Sequence, residues 1–251
     1  MVAKIYQTSA SADLLGYLND WASEDPLSDH GNFSPATSPY EQWAGGGEQV
    51  PGESNYSVLL EGAFTYQQPA GFSGTADTLT FGVGLSGDAS SGFSIGTEQL
   101  EIDLGGTSAA ALNYAIYGLM GTGGTVNVNY LYSYFASTGT EQYGTVGNDK
   151  QYSFAGNDTF TGDAGNDTFV FDDGWGTDAI TDFGDTSGDM DVLDFSAVSF
   201  ITDVDDLVYT YSNYYDTTGV LTISDGTNTL TLAGYVGSDI LELQSNGQLL
   251  A

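Results

Sequence analysis

Near the middle of this chain, three carboxylates recur nine residues apart. The rows GTVGNDKQY, SFAGNDTFT and GDAGNDTFV align Gly147, Gly156 and Gly165, then Asn148, Asn157 and Asn166, then Asp149, Asp158 and Asp167. Glycine permits tight turns that expose backbone carbonyls, and aspartate adds a hard anionic oxygen, a combination suited to Ca2+. The other reading is an array of Gly/Asn/Asp turns without metal. The apolar position of the repeat is filled by Gln151, Phe160 and Phe169, so the first copy is degenerate. The second feature with chemical capacity is DPLSDHGNFSP, residues 25–35, which carries the single histidine, His30. Imidazole is an established nitrogen ligand for iron. A lone loop histidine can equally be a solvated polar residue.

Composition narrows what these groups can do. The 251 residues include no cysteine, no arginine and two lysines, Lys4 and Lys150, against 34 acids, for a formal charge of −32. Disulfides and zinc–thiolate sites are excluded, and an HExxH protease would need two histidines. Gly92–Gly96, GFSIG, spells the nucleophile-elbow pattern GxSxG. That architecture places its histidine after the serine and a helix behind the turn. His30 precedes Ser94 and no helical pattern follows, so a chance match is the better reading. For glycoside hydrolysis, 34 acids offer too many pairs for spacing to single one out. The expectation is a protein that is not an enzyme. Its charge argues against nucleic acid and anionic membrane surfaces. Charged residues make up only 14% and hydrophobic ones 40%, which suits a folded core rather than a disordered tail. No 18-residue apolar run exists, so no membrane insertion is expected. MVAKIYQTSASADLL lacks a long apolar stretch, so export would need a route other than a Sec signal.

Several elements must position these residues. In 11–24, Leu14, Leu15, Leu18 and Trp21 share a helical face, with Ser11 as N-cap. Residues 25–53 read as long loops. Tyr56, Val58, Leu60, Phe64 and Tyr66 share one strand parity, and QQPAGFSG ends that strand. Leu79, Phe81, Val83 and Leu85 mark another strand, and EQLEIDL a further one. Leu112, Ala115, Ile116 and Leu119 form a helical stripe capped by Thr107 and stopped by Gly121. TVNVNYLYSYFAS reads as a helix or a strand. The texture changes near residue 143, which divides the chain into domains 1–143 and 144–251. LVYTYS, VLTIS and TLTLAGY in the second read as short strands.

The nonapeptide resembles the GGxGxDxUx repeat of RTX proteins, strongly at Gly-Asn-Asp. The resemblance implies a parallel β-roll in which turns alternate between two sides, so ligands one coil apart should pair. Asp149 is then expected beside Asp167, and Asp158 beside Asp178 or Asp182. DAITDF…GDMDVLDFS resembles the segment that follows such repeats in type I secretion substrates. This implies a C-terminal export signal read by a type I secretion transporter, a secreted, extracellular protein, and folding coupled to calcium outside the cell.

The first domain resembles the HasA-type haemophores in patches over roughly residues 12–139. The resemblance is carried by LLGYLNDWAS at 14–23, LTFGVGLSGDASSGFSI at 79–95 and NYAIYGLMGTG at 113–123. It implies an α+β fold, a curved antiparallel sheet with helices packed on one side, followed here by an all-β parallel β-roll and short-strand module. It also implies haem b held by a loop histidine, His30, and a strand-end tyrosine, Tyr66. The family's assisting histidine, just after a Pro-Ala, is replaced by Gly71, with Gln67 or Gln68 as a weak substitute. Phe33, Tyr40 and Trp43 could stack on the porphyrin or pin the loop. A phenol has an unperturbed pKa of about 10, so its ligation needs iron to favour the anion. The implied function is capture of haem from host or environmental haemoproteins and delivery to an outer-membrane haemophore receptor. The rival reading is a secreted calcium-binding surface, matrix or adhesion protein with the same fold and no haem.

Overall fold

The computed structural model describes residues 2–24, 30–47, 55–68, 70–121, 125–184, 189–216, 220–235 and 237–251. The chain divides into two compact units, one of residues 1–11 and 16–134, the other of 12–15 and 135–251.

Among its described residues the first unit is built on six antiparallel strands: β1 (Ala3–Gln7), β2 (Asn32–Ser34), β3 (Tyr40–Gly46), β4 (Tyr56–Gln67), β5 (Gly71–Asp88) and β6 (Gly92–Ser108). Their spatial order is β1-β6-β5-β4-β3-β2. Residues directly opposite on neighbouring strands share a face. Ile5, Ile102, Leu79, Leu60, Trp43 and Phe33 form one such row across all six strands. The first five are buried, each contributing roughly 1.5–3 kcal/mol or more by leaving water. One residue along, Lys4, Asp103, Thr78, Glu61, Gln42 and Ser34 form the matching polar row. This alternation fixes the register, because a slip of one residue would exchange the two rows. A bulge between Ala76 and Thr78 adds a residue to β5, leaving the parity of β4 unbroken from Val58 to Tyr66.

Helix α1 (Leu14–Ser23) sets Trp21 edge-on against Phe81, with ring centroids 4.9 Å apart, and Trp21 Nε1 donates to Ser57 O. Ser11 does not cap it: its Oγ accepts the Thr8 N–H and donates to Gln99 O. Thr107 is likewise no helix cap, because β6 runs on to Ser108. A 3-10 turn, Ala109–Leu112, then leads into α2 (Asn113–Leu119). The strand pairing of β6 with β5 carries past the polar Thr107, and this overrides the local capping signal. The ambiguous Tyr-rich segment is helical, α3 (Asn129–Thr138).

The second unit alternates short strands between two ladders. One holds β7 (Thr140–Tyr143), β9 (Thr159–Thr161), β11 (Thr177–Ile180) and β14 (Thr229–Leu232), all parallel, with β13 (Leu221–Ser224) antiparallel at its edge. The other holds β8 (Lys150–Tyr152), β10 (Thr168–Asp172), β12 (Val192–Ala197) and β15 (Leu249–Leu250), all parallel. Phe160, Phe169, Phe171, Phe195, Leu193 and Ile180 fill the space beneath them. In the degenerate first coil, Gln142 and Gln151 are buried instead. Gln142 Nε2 donates to Tyr152 O, and Gln151 Nε2 donates to Thr161 O.

The expected all-β character of this unit is corrected in two places. LVYTYS is helical: α4 (Val204–Asp206) continues as a π-helical turn, Leu207–Tyr211. The start signal lies just upstream, where the Asp203 side chain accepts the Asp206 N–H and the Asp206 carboxylate accepts from Thr202. This N-capping outweighs the strand-like alternation. A fifth helix, α5 (Ile240–Asn246), buries Ile240 and Leu243.

Candidate functional site

His30 immediately precedes β2, and the buried indole of Trp43 holds its backbone, Nε1 donating to His30 O at 3.0 Å. The imidazole Nδ1 lies 2.6 Å from Met120 O. A carbonyl only accepts, so Nδ1 carries the proton, and a neutral ring then keeps its lone pair on Nε2. The side chain is exposed. An Nδ1–H anchored on a backbone carbonyl, with Nε2 open, is the arrangement found behind metal-binding histidines.

Tyr66 sits near the end of β4, opposite Phe72. Phe33 stacks on its ring, with centroids 5.3 Å apart and planes 17° apart. Phe33 also meets Tyr40 at 4.5 Å and Phe72 at 6.1 Å. Phe33 and Tyr40 therefore share an aromatic cluster with Tyr66, whereas Trp43 pins the histidine loop from within the core. Gln68 Nε2 donates to the Tyr66 oxygen at 3.0 Å. The Tyr117 ring meets the Tyr66 ring edge-on, with centroids 6.2 Å apart. Burial pushes the Tyr117 phenol up from its ordinary value, and the proximity and hydrogen bond of Tyr66 add to this.

At Gly71 the backbone adopts φ +83°, and a Cβ there would come within 2.8 Å of the Asn113 amide. Asn113 Oδ1 instead accepts the Phe72 N–H at 2.7 Å. A side chain at this position would have to displace the Asn113 amide and hold a left-handed backbone. Sequence reading missed Asn113, Tyr117 and Met120 as partners. NYAIYGLM was noticed as a resemblance, but a backbone carbonyl acceptor leaves no mark on residue type. Ser94 lies within β6, its hydroxyl 3.0 Å from Ser86 Oγ, and not at a strand-to-helix turn. A cleft of 720 Å³ lined by Glu41, Glu61, Asp77 and Ser90 includes neither His30 nor Tyr66.

In the second unit the repeat aspartates stack across coils. The Asp149 N–H donates to the Asp167 carboxylate at 2.8 Å, and the Asp167 N–H to Asp191 at 2.9 Å. On the opposite side, the Asp158 N–H donates to Asp178 at 2.8 Å, while Asp158 accepts from Thr140 and Phe154. Asp182 lies apart from this pair and accepts the Gly162 and Asp163 N–H groups. Asparagines cap the same turns: Asn148 accepts from Asn166, Asn166 from Met190, and Asn157 from Thr177. Gly165 adopts φ +131°, and a Cβ there would fall 2.5 Å from Gly147 O. Gly156 approaches the Gly139 backbone just as closely, whereas Gly147 has room beside it. Asp191 was missed because it lies 24 residues after Asp167, outside the nine-residue period.

Burial pushes these carboxyls up. Desolvation raises Asp158 to about 6, Asp167 to about 7 and Asp178 to about 8, against donated hydrogen bonds that pull the other way. Asp149 and Asp191 are raised for the same reason. Asp149 is 3% exposed and its Oδ1 has no hydrogen-bond partner. Among the described residues, no three His, Asp or Glu side chains gather closely enough to hold a metal ion by themselves. No described helix is long and apolar enough to cross a membrane.

No protein-family model matches the chain, and no curated protein matches it. Among solved structures it is similar to the haemophore HasA from Yersinia pestis in both its apo and holo forms. Each is 21% identical, covers 55% of this chain and 89% of that chain, and gives a TM-score of 0.44. A HasA variant monomer from Yersinia pseudotuberculosis is 24% identical, with the same coverage and a TM-score of 0.42.

Proposed function

We propose that the first unit binds haem, with His30 Nε2 and Tyr66 Oη as the two axial ligands. The observation that carries this reading is the anchoring of His30 Nδ1–H on Met120 O, which leaves Nε2 as the open donor of the only imidazole in the chain. The aromatic cluster around Tyr66 and the Gln68 donor at its oxygen fit the same group. Haem b would supply the ferric iron. Two protein ligands leave that iron no open position, so the function is capture and transfer rather than catalysis. With only two lysines in the chain, haem propionates would face solvent. Haem would be drawn from haemoproteins outside the cell and passed to an outer-membrane receptor.

The second unit, on this proposal, is an RTX β-roll that binds Ca2+ and follows a type I export route. Its support is the nine-residue Gly-Asn-Asp register and the buried Asp149 Oδ1, an anionic oxygen without a proton donor. Because no three carboxylates cluster among the described residues, most ligands would be turn carbonyls, which suit calcium's high oxygen coordination.

The test is an absorbance titration of the calcium-loaded full chain with hemin. A saturable one-to-one Soret change, altered in His30→Ala and in Tyr66→Phe, is expected. No saturable binding by the wild type sinks the haem reading.

A further inference from the structure

We propose that one face of α2 and its C-terminal cap, Asn113–Tyr117–Met120, positions both ligand residues, and that the Tyr117 hydroxyl is the group that fixes Tyr66. The proposal rests on the haem reading above. Positions 113 and 117 are spaced i, i+4, so their side chains project from one side of the helix, and the Met120 carbonyl lies at its C-terminal cap. They span about 10 Å along it. Each makes a polar contact with a segment remote in sequence. Asn113 Oδ1 accepts the Phe72 N–H at 2.7 Å, anchoring the strand residue opposite Tyr66. Tyr117 meets the Tyr66 ring edge-on with centroids 6.2 Å apart, a contact from which its hydroxyl can reach the Tyr66 oxygen. Met120 O holds His30 Nδ1 at 2.6 Å. One rigid element thus carries the loop histidine and the strand-end tyrosine together.

At the Tyr66 oxygen the amide nitrogen of Gln68 can only donate. With a second bond from Tyr117, the ring's rotamer and the direction of its remaining lone pair are set. Gln68 is exposed, so water competes for its bond; Tyr117 is partly buried, which makes its bond the stronger one. A purely packing role for Tyr117 would be served equally by phenylalanine, which keeps the ring contacts with Tyr66 and Phe72.

The experiment loads the full calcium-bound chain with hemin and compares wild type, Tyr117→Phe, Gln68→Ala and Tyr66→Phe. The readouts are the tyrosinate-to-iron charge-transfer band and the rate of hemin loss to a scavenger. Tyr117→Phe should still bind one hemin, with the band shifted and loss about tenfold to a hundredfold faster, the range for a hydrogen bond to a charged group. Gln68→Ala should shift the band less, and Tyr66→Phe should abolish it. A wild-type band and loss rate in Tyr117→Phe overturns the positioning role while leaving the haem reading intact. No saturable hemin binding by the wild type overturns the haem reading and this proposal with it. If Tyr117→Phe does not fold, the exposed Gln68→Ala probes the same oxygen, and an unmoved band there overturns the donor arrangement.

Discussion

Removing calcium at neutral pH should unfold the second unit, and acidifying the calcium-free protein should restore it. Asp158, Asp167 and Asp178 are raised from 3.8 to about 6, 7 and 8, chiefly by desolvation. The folded state therefore holds protons more tightly than the unfolded chain. A carboxyl shifted upward contributes stability that is present in full below the unfolded value, near pH 4. That stability is lost as pH rises through the folded values, between about 6 and 8. One pKa unit is worth about 1.4 kcal/mol, so the roughly two-unit rise at Asp158 alone costs about 3 kcal/mol by pH 8. Asp167 and Asp178 are shifted further. The three do not simply add, because Asp158 and Asp178 share a hydrogen bond. Even one such shift is a sizeable part of the 5–15 kcal/mol that holds a typical domain together. Calcium bound as proposed would offset this, by about 4 kcal/mol at a thousandfold excess over its dissociation constant. The assay is urea unfolding of the full chain in chelator from pH 4.5 to 8.5, read by circular dichroism and by hydrogen exchange in the peptides spanning 150–180. The midpoint for those peptides should fall as pH rises, and Asp178→Asn, which removes the charge and keeps the shape, should flatten the slope. A calcium-free midpoint that is constant across this range refutes the reasoning.

Two further outcomes follow from the first unit. As the chain's single histidine, His30 gives one isolated imidazole signal, and nitrogen-15 shifts of the neutral ring should show the proton on Nδ1; an Nε2–H tautomer contradicts the Met120 anchor. Gly71→Ala should cost roughly 1–3 kcal/mol in urea unfolding of the first unit, since it combines a left-handed φ with a clash at Asn113. Unchanged stability would mean that the Gly71–Phe72 turn is not held as described.

Local chemistry made part of this protein legible in the linear chain. The Gly-Asn-Asp period is written in consecutive residues, because each coil repeats the same turn with its own asparagine and aspartate, and Gly156 and Gly165 crowd neighbouring backbone. The long strands are legible for a similar reason: apolar residues two apart, such as Val58 and Leu60 or Leu79 and Phe81, mark a strand face turned to the core. LVYTYS was misread because its alternation concealed the Asp203 cap upstream. His30 stood out by scarcity, whereas Tyr66, one of 17 tyrosines, was marked only by the family resemblance.

Their surroundings were decided by tertiary structure alone. The acceptor for His30 is a main-chain carbonyl 90 residues away, and any residue type could supply it. Tyr117 is one of 17 tyrosines until α2 lies against the end of β4, and nothing in its neighbours' identities marks it out. Asp191 joins the aspartate stack through a coil of irregular length, which a fixed period cannot anticipate. The carboxyl shifts, too, belong to the folded state, because they arise from burial between stacked coils. Residue type and short-range spacing determine which groups are available. Which of them meet, and how far water is excluded around them, depends on contacts distant in sequence.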